Sequence, residues 1–300
     1  MKNSRYLLLI VSILFLSSCG LNNQGKEEIT LATKPQQGPQ QNQSCLEKGT
    51  KESLELVSWN IEHFPKAGNE TLIEVEKTIL QMDMDLIAVQ EISKPKQFDF
   101  LMDKLHDYQG VYGENKYIRL GFIYNINELE VVEEAVELFK TQTREFPRSP
   151  LVMKFKHIST GEVFTAINMH LKCCSGTTNI QRRKDAMKIL KNHIDINMSG
   201  ESVVILGDFN EPITILNEDK NIYYQFQIDP NYFMSTEVLL NDPDSWSYPK
   251  WPSHLDQIII SGNLLKQKQV TDSMQIDRCD STYIEKISDH RPVYIKLEAN

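Results

Sequence analysis

The stretch VVILGDFN (Val203–Asn210) decides the predicted fold of this chain. Its first four residues are aliphatic, too few for a helix, and end at Gly207, so they predict a buried β-strand. Asp208 and Asn210 follow this strand, at the position where α/β folds build their sites. The carboxylate can bind a hard cation or orient water, and the amide can donate to a phosphate oxygen. An ordinary strand and turn would have the same sequence, so further motifs are needed to indicate a site.

The composition is that of an ordinary globular protein. Of the 300 residues, 40% are hydrophobic and 24% are charged, which is sufficient for a sizeable core. The formal net charge of −9 disfavours a strongly basic nucleic-acid-binding protein. The charge is compatible with an enzyme that meets phosphates through a divalent cation, because the metal supplies positive charge locally.

The first residues are typical of an export signal. Lys2 and Arg5 form a short basic region, and the apolar stretch Tyr6–Leu16 is too short to span a bilayer. The sequence LSSC, which ends at Cys19, resembles a bacterial lipobox, in which the cysteine is lipidated and becomes the mature N-terminus. We therefore expect an exported protein anchored in the cell envelope by a lipid on Cys19, at the outer membrane or cell surface. An ordinary secretory signal is the alternative.

Three regions are predicted along the chain. Residues 1–19 form the signal peptide, and residues 20–50 are poor in aromatic residues and rich in Gln, Asn, Pro and Gly. Such a segment buries too little apolar surface to fold, which predicts a disordered tether. Residues 51–300 contain no comparable linker and no internal repeat, so we expect one domain there, and a monomer.

Strands outnumber helices in this domain. The hydrophobic pattern predicts helices at Glu70–Gln81, Phe98–His106 and Gln181–Ile196. It also predicts eight strands, at Leu54–Ile61, Asp85–Gln90, Gly121–Tyr124, Leu151–Phe155, Val163–Met169, Val203–Leu206, Gln257–Ser261 and Val293–Leu297. A strand-helix-strand opening followed by many strands indicates two packed sheets with helices outside, as an α/β or α+β sandwich.

Polar residues follow the first two predicted strands. Asn60 lies at the end of the first strand, and Glu91 directly follows the second. A carboxylate is a natural ligand for Mg²⁺, Mn²⁺ or Ca²⁺, and an asparagine can hold that carboxylate or a metal-bound water. Ordinary strand-end residues are the alternative for this pair.

Two further residues are suited to binding a phosphate. Arg148 lies in the sequence FPRSP, where the two prolines make a stiff loop that can present the guanidinium fork to a phosphate. His170 follows the strand Val163–Met169 and can stabilise or protonate a leaving oxygen. The alternatives are a solvated arginine and a structural histidine.

The C-terminal part of the chain contains a histidine and two aspartates in the motifs HLDQI and SDHRPV. His290 can act as a general base, Asp256 can fix its tautomer, and the adjacent Asp289 can bind a metal or water. A serine hydrolase and a zinc protease are disfavoured, because neither G-x-S-x-G nor H-E-x-x-H occurs.

Taken in chain order, the motifs WNIEHF, QE, FPRSP, NMHL, GDFN, HLDQI and SDHRPV resemble those of the endonuclease/exonuclease/phosphatase superfamily, which includes pancreatic deoxyribonuclease and the abasic endonucleases. The resemblance covers residues 54–297, and the set of motifs in this order is specific. It implies a deoxyribonuclease-I-like fold, which is a four-layer α/β sandwich of two packed mixed β-sheets with outer helices.

The resemblance also implies which residues bind metal. Glu91 is expected to be the principal ligand of a divalent metal, with Mg²⁺ expected first and Mn²⁺ or Ca²⁺ as alternatives. Asn60 is expected beside it, and Asp289 is expected to contact a metal. Asp208 is expected to position the attacking water or a second cation.

The remaining roles implied by the resemblance concern water activation and phosphate binding. His290 is expected to be the general base that activates the attacking water, oriented by Asp256. Arg148 and His170 are expected to bind the scissile phosphate, and Asn210 to donate to the phosphoryl oxygens. A tyrosine that several relatives direct at the phosphate has no clear counterpart; we expect Tyr117, with Tyr112 and Tyr124 as alternatives.

Four cysteines remain once Cys19 is set aside: Cys45, Cys173, Cys174 and Cys279. Exported chains keep disulfides, and the absence of C-x-x-C disfavours zinc. Four cysteines allow three pairings. Because a bond between neighbouring cysteines closes a strained eight-membered ring, we expect one of Cys173 and Cys174 to pair with Cys279 and the other with Cys45. The sequence does not choose between these two arrangements, and in either one a disulfide would stiffen the rim of the site.

We therefore expect an exported metal-dependent phosphodiesterase, with DNA or RNA as the favoured substrate. The alternative is a phosphatase or a sphingomyelinase-like phospholipase, acting on a phosphorylated small molecule or lipid. Its only sequence signal is the segment YPKWP (Tyr248–Pro252), which is a short candidate for membrane insertion or an ordinary rim loop. A non-catalytic surface binding module is disfavoured, because Glu91, Asp208 and His290 are all present.

Overall fold

The computed structural model describes residues 45–214 and 221–298. The predicted signal peptide, the lipidation site Cys19 and residues 20–44 of the predicted tether lie outside the described residues. Among the described helices, none has both the length and the hydrophobicity needed to cross a bilayer.

The described residues form twelve strands and six α-helices. The strands are β1 (Ser53–Phe64), β2 (Leu86–Ile92), β3 (Tyr108–Tyr112), β4 (Arg119–Asn125), β5 (Leu129–Glu137), β6 (Leu151–His157), β7 (Val163–His170), β8 (Ser202–Asp208), β9 (Tyr232–Met234), β10 (Asp256–Ser261), β11 (Lys268–Ser273) and β12 (Val293–Glu298). The helices are α1 (Asn69–Met82), α2 (Pro95–Met102), α3 (Thr177–Asn197), α4 (Tyr224–Gln227), α5 (Ile276–Cys279) and α6 (Tyr283–Lys286).

The strands form two mixed sheets of six strands each. Sheet I has the order β11-β12-β1-β2-β4-β3, and sheet II has the order β5-β6-β7-β8-β10-β9. The pairs β1–β2 and β7–β8 are parallel, and the other neighbours are antiparallel. A parallel pair needs a crossover connection, which α1 provides in sheet I and α3 in sheet II.

Apolar contacts join four layers. Leu56 and Phe122 of sheet I pack with Phe155 and Leu206 of sheet II in the core between the sheets. The buried face of α1 packs on the outer face of sheet I, and the buried face of α3 packs on the outer face of sheet II. The order helix, sheet, sheet, helix confirms the predicted four-layer α/β sandwich.

The prediction of strands failed only at the sheet edges. The eight predicted strands correspond to β1, β2, β4, β6, β7, β8, β10 and β12, whereas the four missed strands are the edge strands β3, β5, β9 and β11. An edge strand is less buried and therefore lacks a continuous apolar run: β5 carries Glu130, Glu133 and Glu134 on its exposed positions. Among the helices, α2 begins at Pro95 rather than at Phe98, because proline is favoured in the first turn.

Two carboxyl groups are buried together where β1 and β2 begin. Glu55 and Asp85 are 0% and 1% exposed, and Asp85 Oδ2 accepts a hydrogen bond from the Glu55 backbone N–H at 2.8 Å. Burial, reinforced by the charge of Glu55, raises the pKa of Asp85 to about 9, and burial also raises the pKa of Glu55. The pair therefore holds a proton at neutral pH.

The ordered domain begins before the predicted boundary at residue 51. Cys45 forms a disulfide with Cys279 in α5, and the Gly49 N–H donates to the carbonyl of Met82 at 2.8 Å. The last residues of the predicted tether, 45–50, are therefore fixed to the domain. The expected pairing was wrong: Cys45 and Cys279 bond to each other, and Cys173 and Cys174 are free thiols.

Candidate active site

Polar residues from both sheets meet at one edge of the sandwich. In sheet II, His170 lies opposite Asp208 in the parallel pair β7–β8, and Asp256 lies opposite Asp208 in the pair β8–β10. In sheet I, Asn60 is on β1 and Glu91 is on β2. Asn60 Nδ2 connects the two sheets, because it donates to Asp208 Oδ2 at 3.0 Å and to Glu91 Oε1 at 3.3 Å.

Gly207 and Asn210 fix the position of Asp208. A Cβ atom at Gly207 would lie only 2.1 Å from the carbonyl oxygen of Met169, so the close approach of β8 to β7 requires glycine there. Asp208 Oδ1 accepts the backbone N–H of Asn210 at 2.8 Å. Asp208 is 2% exposed, and burial raises its pKa to about 7 although the nearby His290 acts in the opposite direction. Its proton can therefore be gained or lost near neutral pH.

His290 and Asp256 form a buried pair. His290 Nδ1 lies 2.7 Å from Asp256 Oδ2, and His290 Nε2 lies 3.9 Å from Asp208 Oδ2. Burial alone would lower the pKa of His290, but the charges of Asp256, Asp208 and Asp289 outweigh it and raise that pKa to about 10. Ser288 Oγ holds the backbone by accepting the His290 N–H at 3.0 Å. The pair has the arrangement of a histidine base with an orienting carboxylate.

Arg148 and His170 form a second pair. Arg148 Nη2 donates to His170 Nε2 at 3.1 Å, and Nη1 donates to the carbonyl of Leu171 at 3.3 Å. Burial and the positive charge of Arg148 keep the pKa of His170 well below its ordinary value, so His170 is neutral. His170 thus accepts a hydrogen bond from Arg148 and positions its guanidinium.

These residues surround an open cavity of about 700 Å³. Seven of the predicted site residues line it: Glu91, Arg148, His170, Asp208, Asn210, Asp289 and His290. The other two, Asn60 and Asp256, are buried and contact lining residues. The structure therefore brings all nine predicted residues of the domain together, while their chemical roles remain predictions.

The oxygen donors at the cavity wall fit a hard divalent cation. The side chains of Glu91 and Asp289 are 14% and 16% exposed. Carboxylate and amide oxygens are the ligands that Mg²⁺ and Ca²⁺ prefer. Ligand atoms of Asp208, Asp256 and His290 also lie within 4.8 Å of one another, but Asp256 and His290 are already hydrogen-bonded to each other. Glu91 is therefore the more accessible candidate for binding a metal.

The tyrosine at the site is none of those expected from the sequence. The ring of Tyr248 packs against that of His290 with 4.8 Å between ring centroids. Tyr117 is 74% exposed, Tyr112 donates to Asp99, and Tyr124 lies in the core between the sheets. Tyr248 was present in the segment YPKWP, but no local pattern indicated that this segment packs on His290.

Two further residues that the sequence analysis left without a role also line the cavity. The His63 backbone N–H donates to Glu91 Oε2 at 2.9 Å, and Glu62 Oε2 accepts the backbone N–H of Asp289 at 2.9 Å. Both belong to the quoted motif WNIEHF. His63 thus holds the side chain of Glu91, and Glu62 holds the backbone of Asp289; Glu91 and Asp289 are the two expected metal ligands.

The model of the Endonuclease/Exonuclease/phosphatase family matches residues 57–290. No curated protein sequence matches the chain significantly. Among solved structures, D. rerio TDP2 complexed with a single-strand DNA product has 15% identity and a TM-score of 0.65, over 82% of this chain and 99% of that chain. The human Nocturnin catalytic domain with bound sulfate has 17% identity and a TM-score of 0.61, over 82% of this chain and 93% of that chain. The Bacteroides thetaiotaomicron mannosyl-6-phosphatase has 16% identity and a TM-score of 0.57, over 82% of this chain and 100% of that chain.

At these identities, the likeness to the solved structures concerns the fold. The family model, in contrast, spans most of the chain, from β1 to the histidine of the buried pair. This chain therefore belongs to the endonuclease/exonuclease/phosphatase family.

Proposed function

We propose that the protein is a metal-dependent phosphodiesterase that cleaves DNA or RNA with a water molecule activated by His290. The observation that carries the proposal is the 2.7 Å contact between His290 and Asp256, at the same cavity as Glu91 and Arg148. A base, a metal ligand and a phosphate-binding cation are together the requirements for hydrolysis of a phosphate ester. Members of the family are phosphoester hydrolases, which supports this class of reaction.

The divalent cation, Mg²⁺ in this proposal, would be held by Glu91 with Asn60 and Asp289 beside it. When bound, such a cation would neutralise charge on the phosphate oxygens, and its positive charge would oppose the carboxylates that raise the pKa of His290.

His290, Asp256 and Asp208 act on the attacking water in this proposal. Asp256 accepts the Nδ1 proton of His290, so in the neutral imidazole Nε2 is the nitrogen without a proton and can take one from water. Asp208 Oδ2 lies 3.9 Å from Nε2 and accepts the other hydrogen bond of that water. The imidazolium that forms is stabilised by the carboxylate of Asp256.

Arg148 and Asn210 act on the phosphate. The guanidinium of Arg148 and the side-chain amide of Asn210 donate to phosphoryl oxygens and stabilise the negative charge that develops during attack. His170 is neutral and already accepts from Arg148, so its contribution is to position the guanidinium beside the scissile phosphate.

A nucleic-acid substrate is supported by two observations. The structure of D. rerio TDP2 contains a single-strand DNA product, and Trp251 lies at the rim of the cavity with 77% of its surface exposed. An exposed indole is suited to stacking on a base. The second candidate is hydrolysis of a phosphomonoester, which is supported by the fold shared with a mannosyl-6-phosphatase.

The experiment is incubation of the purified protein with supercoiled plasmid and Mg²⁺. Nicking that is lost in EDTA and in His290→Ala, but retained in His106→Ala, supports the proposed nuclease. His106 is a matched control because it is exposed and does not line the cavity. No nicking, with hydrolysis of a sugar phosphate or a phospholipid instead, would favour the second candidate or a phospholipase.

The proposed place of action is the cell envelope, with a lipid on Cys19 as the anchor, and the proposed state is a monomer. Metabolic labelling with a radioactive fatty acid tests the anchor: label should be lost in Cys19→Ala. Light scattering of the purified protein tests the monomer. Label that persists in Cys19→Ala, or a dimer mass, would contradict these proposals.

A further inference from the structure

Two neighbouring thiols lie at the rim of the cavity. Cys173 and Cys174 line it together with Arg148 and Asn210; Cys173 is partly buried and Cys174 is exposed. Their Sγ atoms are 2.9 Å apart, which is within about 1 Å of the length of a disulfide bond. Among the described cysteines, these two alone are free, because Cys45 and Cys279 are bonded to each other.

The surroundings of Cys173 favour its thiolate. Lys172 Nζ lies 3.3 Å from Cys173 Sγ. Partial burial acts against ionisation, but hydrogen bonds from Cys174 and Lys172, with the charge of Arg148, lower the pKa of the Cys173 thiol. Cys174 keeps its proton more tightly, because the neighbouring Cys173 raises its pKa. A thiolate next to a second accessible thiol is the arrangement that supports disulfide exchange.

The loop that carries the thiols is connected to the phosphate-binding residues. The carbonyl of Leu171 accepts hydrogen bonds from Arg148 Nη1 and Asn210 Nδ2, each at 3.3 Å. Arg183 Nη1 donates to the carbonyls of Lys172 and Cys174 at 2.7 and 3.0 Å. Cys173 therefore lies two residues along the chain from Leu171, whose carbonyl contacts both Arg148 and Asn210.

We propose that Cys173 and Cys174 are a reversible modification site, which forms a vicinal disulfide and thereby increases the affinity of the cavity for phosphate groups. The thiolate of Cys173 attacks one sulfur of a small disulfide such as oxidised glutathione, forms a mixed disulfide and displaces the first thiolate. Cys174 then loses its proton to solvent and attacks Cys173 Sγ, which displaces the second thiolate. Two cysteine thiols are oxidised and one external disulfide is reduced to two thiols.

The expected effect on phosphate follows from charge. In the reduced protein the ammonium group of Lys172 donates to Cys173 Sγ, which favours ionisation of the thiol. The ionised form of Cys173 places negative charge on the cavity wall that also carries Arg148. The disulfide cannot ionise, so the negative charge that opposes an incoming phosphate beside Arg148 is removed. This effect depends on the proposed function in one respect: it assumes that the cavity binds phosphate groups. The bond itself closes a strained ring, and a strained, exposed disulfide is readily reduced again.

The bond is tested by mass spectrometry without reference to activity. The purified protein is incubated with oxidised glutathione, alkylated with iodoacetamide and digested with trypsin, which releases Cys173–Arg182. This peptide should carry no alkyl group and should be lighter than the reduced peptide by two hydrogen atoms. Two alkylated cysteines, or a lasting adduct with glutathione, would overturn the proposal.

The effect on affinity is tested by calorimetric titration with inorganic phosphate in EDTA, so that neither turnover nor metal is needed. The oxidised protein should bind phosphate about 1.5- to 5-fold more tightly than the reduced protein, which is the size of effect expected for one partly exposed charge pair. The double variant Cys173→Ser with Cys174→Ser should show no response to oxidised glutathione, whereas Ser175→Ala should respond as the wild type does. Equal affinities in the two states of the wild type would overturn the assigned consequence, whatever the substrate of the enzyme.

Discussion

Replacing Asp85 with asparagine should stabilise the protein at neutral pH, although Asp85 is buried and hydrogen-bonded. The native pKa of Asp85 is about 9, against about 3.8 in the unfolded chain. A group with a raised native pKa contributes stability that is complete below the unfolded pKa and is lost as the pH rises through the native pKa. Wild-type stability should therefore fall between about pH 4 and pH 9.

The magnitude at pH 7 follows from the unfolded pKa. Neutral pH lies roughly three pH units above it, and each unit corresponds to about 1.4 kcal/mol, so unfolding at pH 7 gains about 4 kcal/mol from release of this proton. The figure does not depend on the native pKa as long as that pKa exceeds 7. Glu55 shares the proton, so the pair is counted once. Asp85→Asn removes the carboxyl group whose proton is released on unfolding, and the introduced side-chain amide oxygen can still accept the Glu55 N–H.

The assay is urea unfolding of the wild type and of Asp85→Asn at pH 5, 6, 7 and 8. The difference in the free energy of unfolding should increase in favour of the variant by about 1.4 kcal/mol per pH unit. The control is Asp103→Asn, which changes an exposed aspartate and should follow the wild-type curve. A difference between Asp85→Asn and the wild type that is constant from pH 5 to pH 8 would refute the reasoning.

Three further predictions concern the site. His290→Ala should lower turnover by about 10²- to 10⁴-fold, since the proposed general base is lost, and it should also lower the urea midpoint, because the buried carboxylate of Asp256 loses its partner; activity retained in the folded variant would exclude His290 as the base. Glu91→Gln should weaken both activity and the response to Mg²⁺, and an unchanged Mg²⁺ titration would place the metal elsewhere. Gly207→Ala should destabilise the fold by about 1–3 kcal/mol, because the new Cβ meets the carbonyl of Met169, and it should shift Asp208; a variant with wild-type stability and activity would contradict the close approach of β7 and β8.

The sequence was sufficient to predict the central strands and the residues at their ends. Each central strand is buried on both faces, so it appears as an apolar run, and a polar residue after such a run is visible without knowledge of the fold. That is why Asn60, Glu91, His170 and Asp208 were all identified. Their convergence was not visible from the runs themselves, since it depends on two parallel pairs in two different sheets.

Contacts between distant segments were beyond the sequence patterns. Tyr248 packs on His290 only because the loop that carries it folds over the sandwich edge, and nothing local distinguishes it from Tyr117. The pairing of Cys45 with Cys279 depends in the same way on the place of the N-terminal segment beside α5. The edge strand β5 was missed because of its own local sequence. Its exposed glutamates interrupt the alternation of apolar and polar residues that indicates a strand.

The disulfide between Cys45 and Cys279 also determines how the domain responds to mechanical load. Its two cysteines are separated by 234 residues, and Cys45 precedes the first strand. A pull on the chain from the N-terminal side reaches Cys45 first and passes through the covalent bond to Cys279, so it bypasses the hydrogen bonds of β1. Strand β1 carries Asn60, which joins the two halves of the site, and it is therefore shielded from tension that would otherwise peel it from sheet I. A domain built in this way can be held by its N-terminal end without loading the residues of the candidate site.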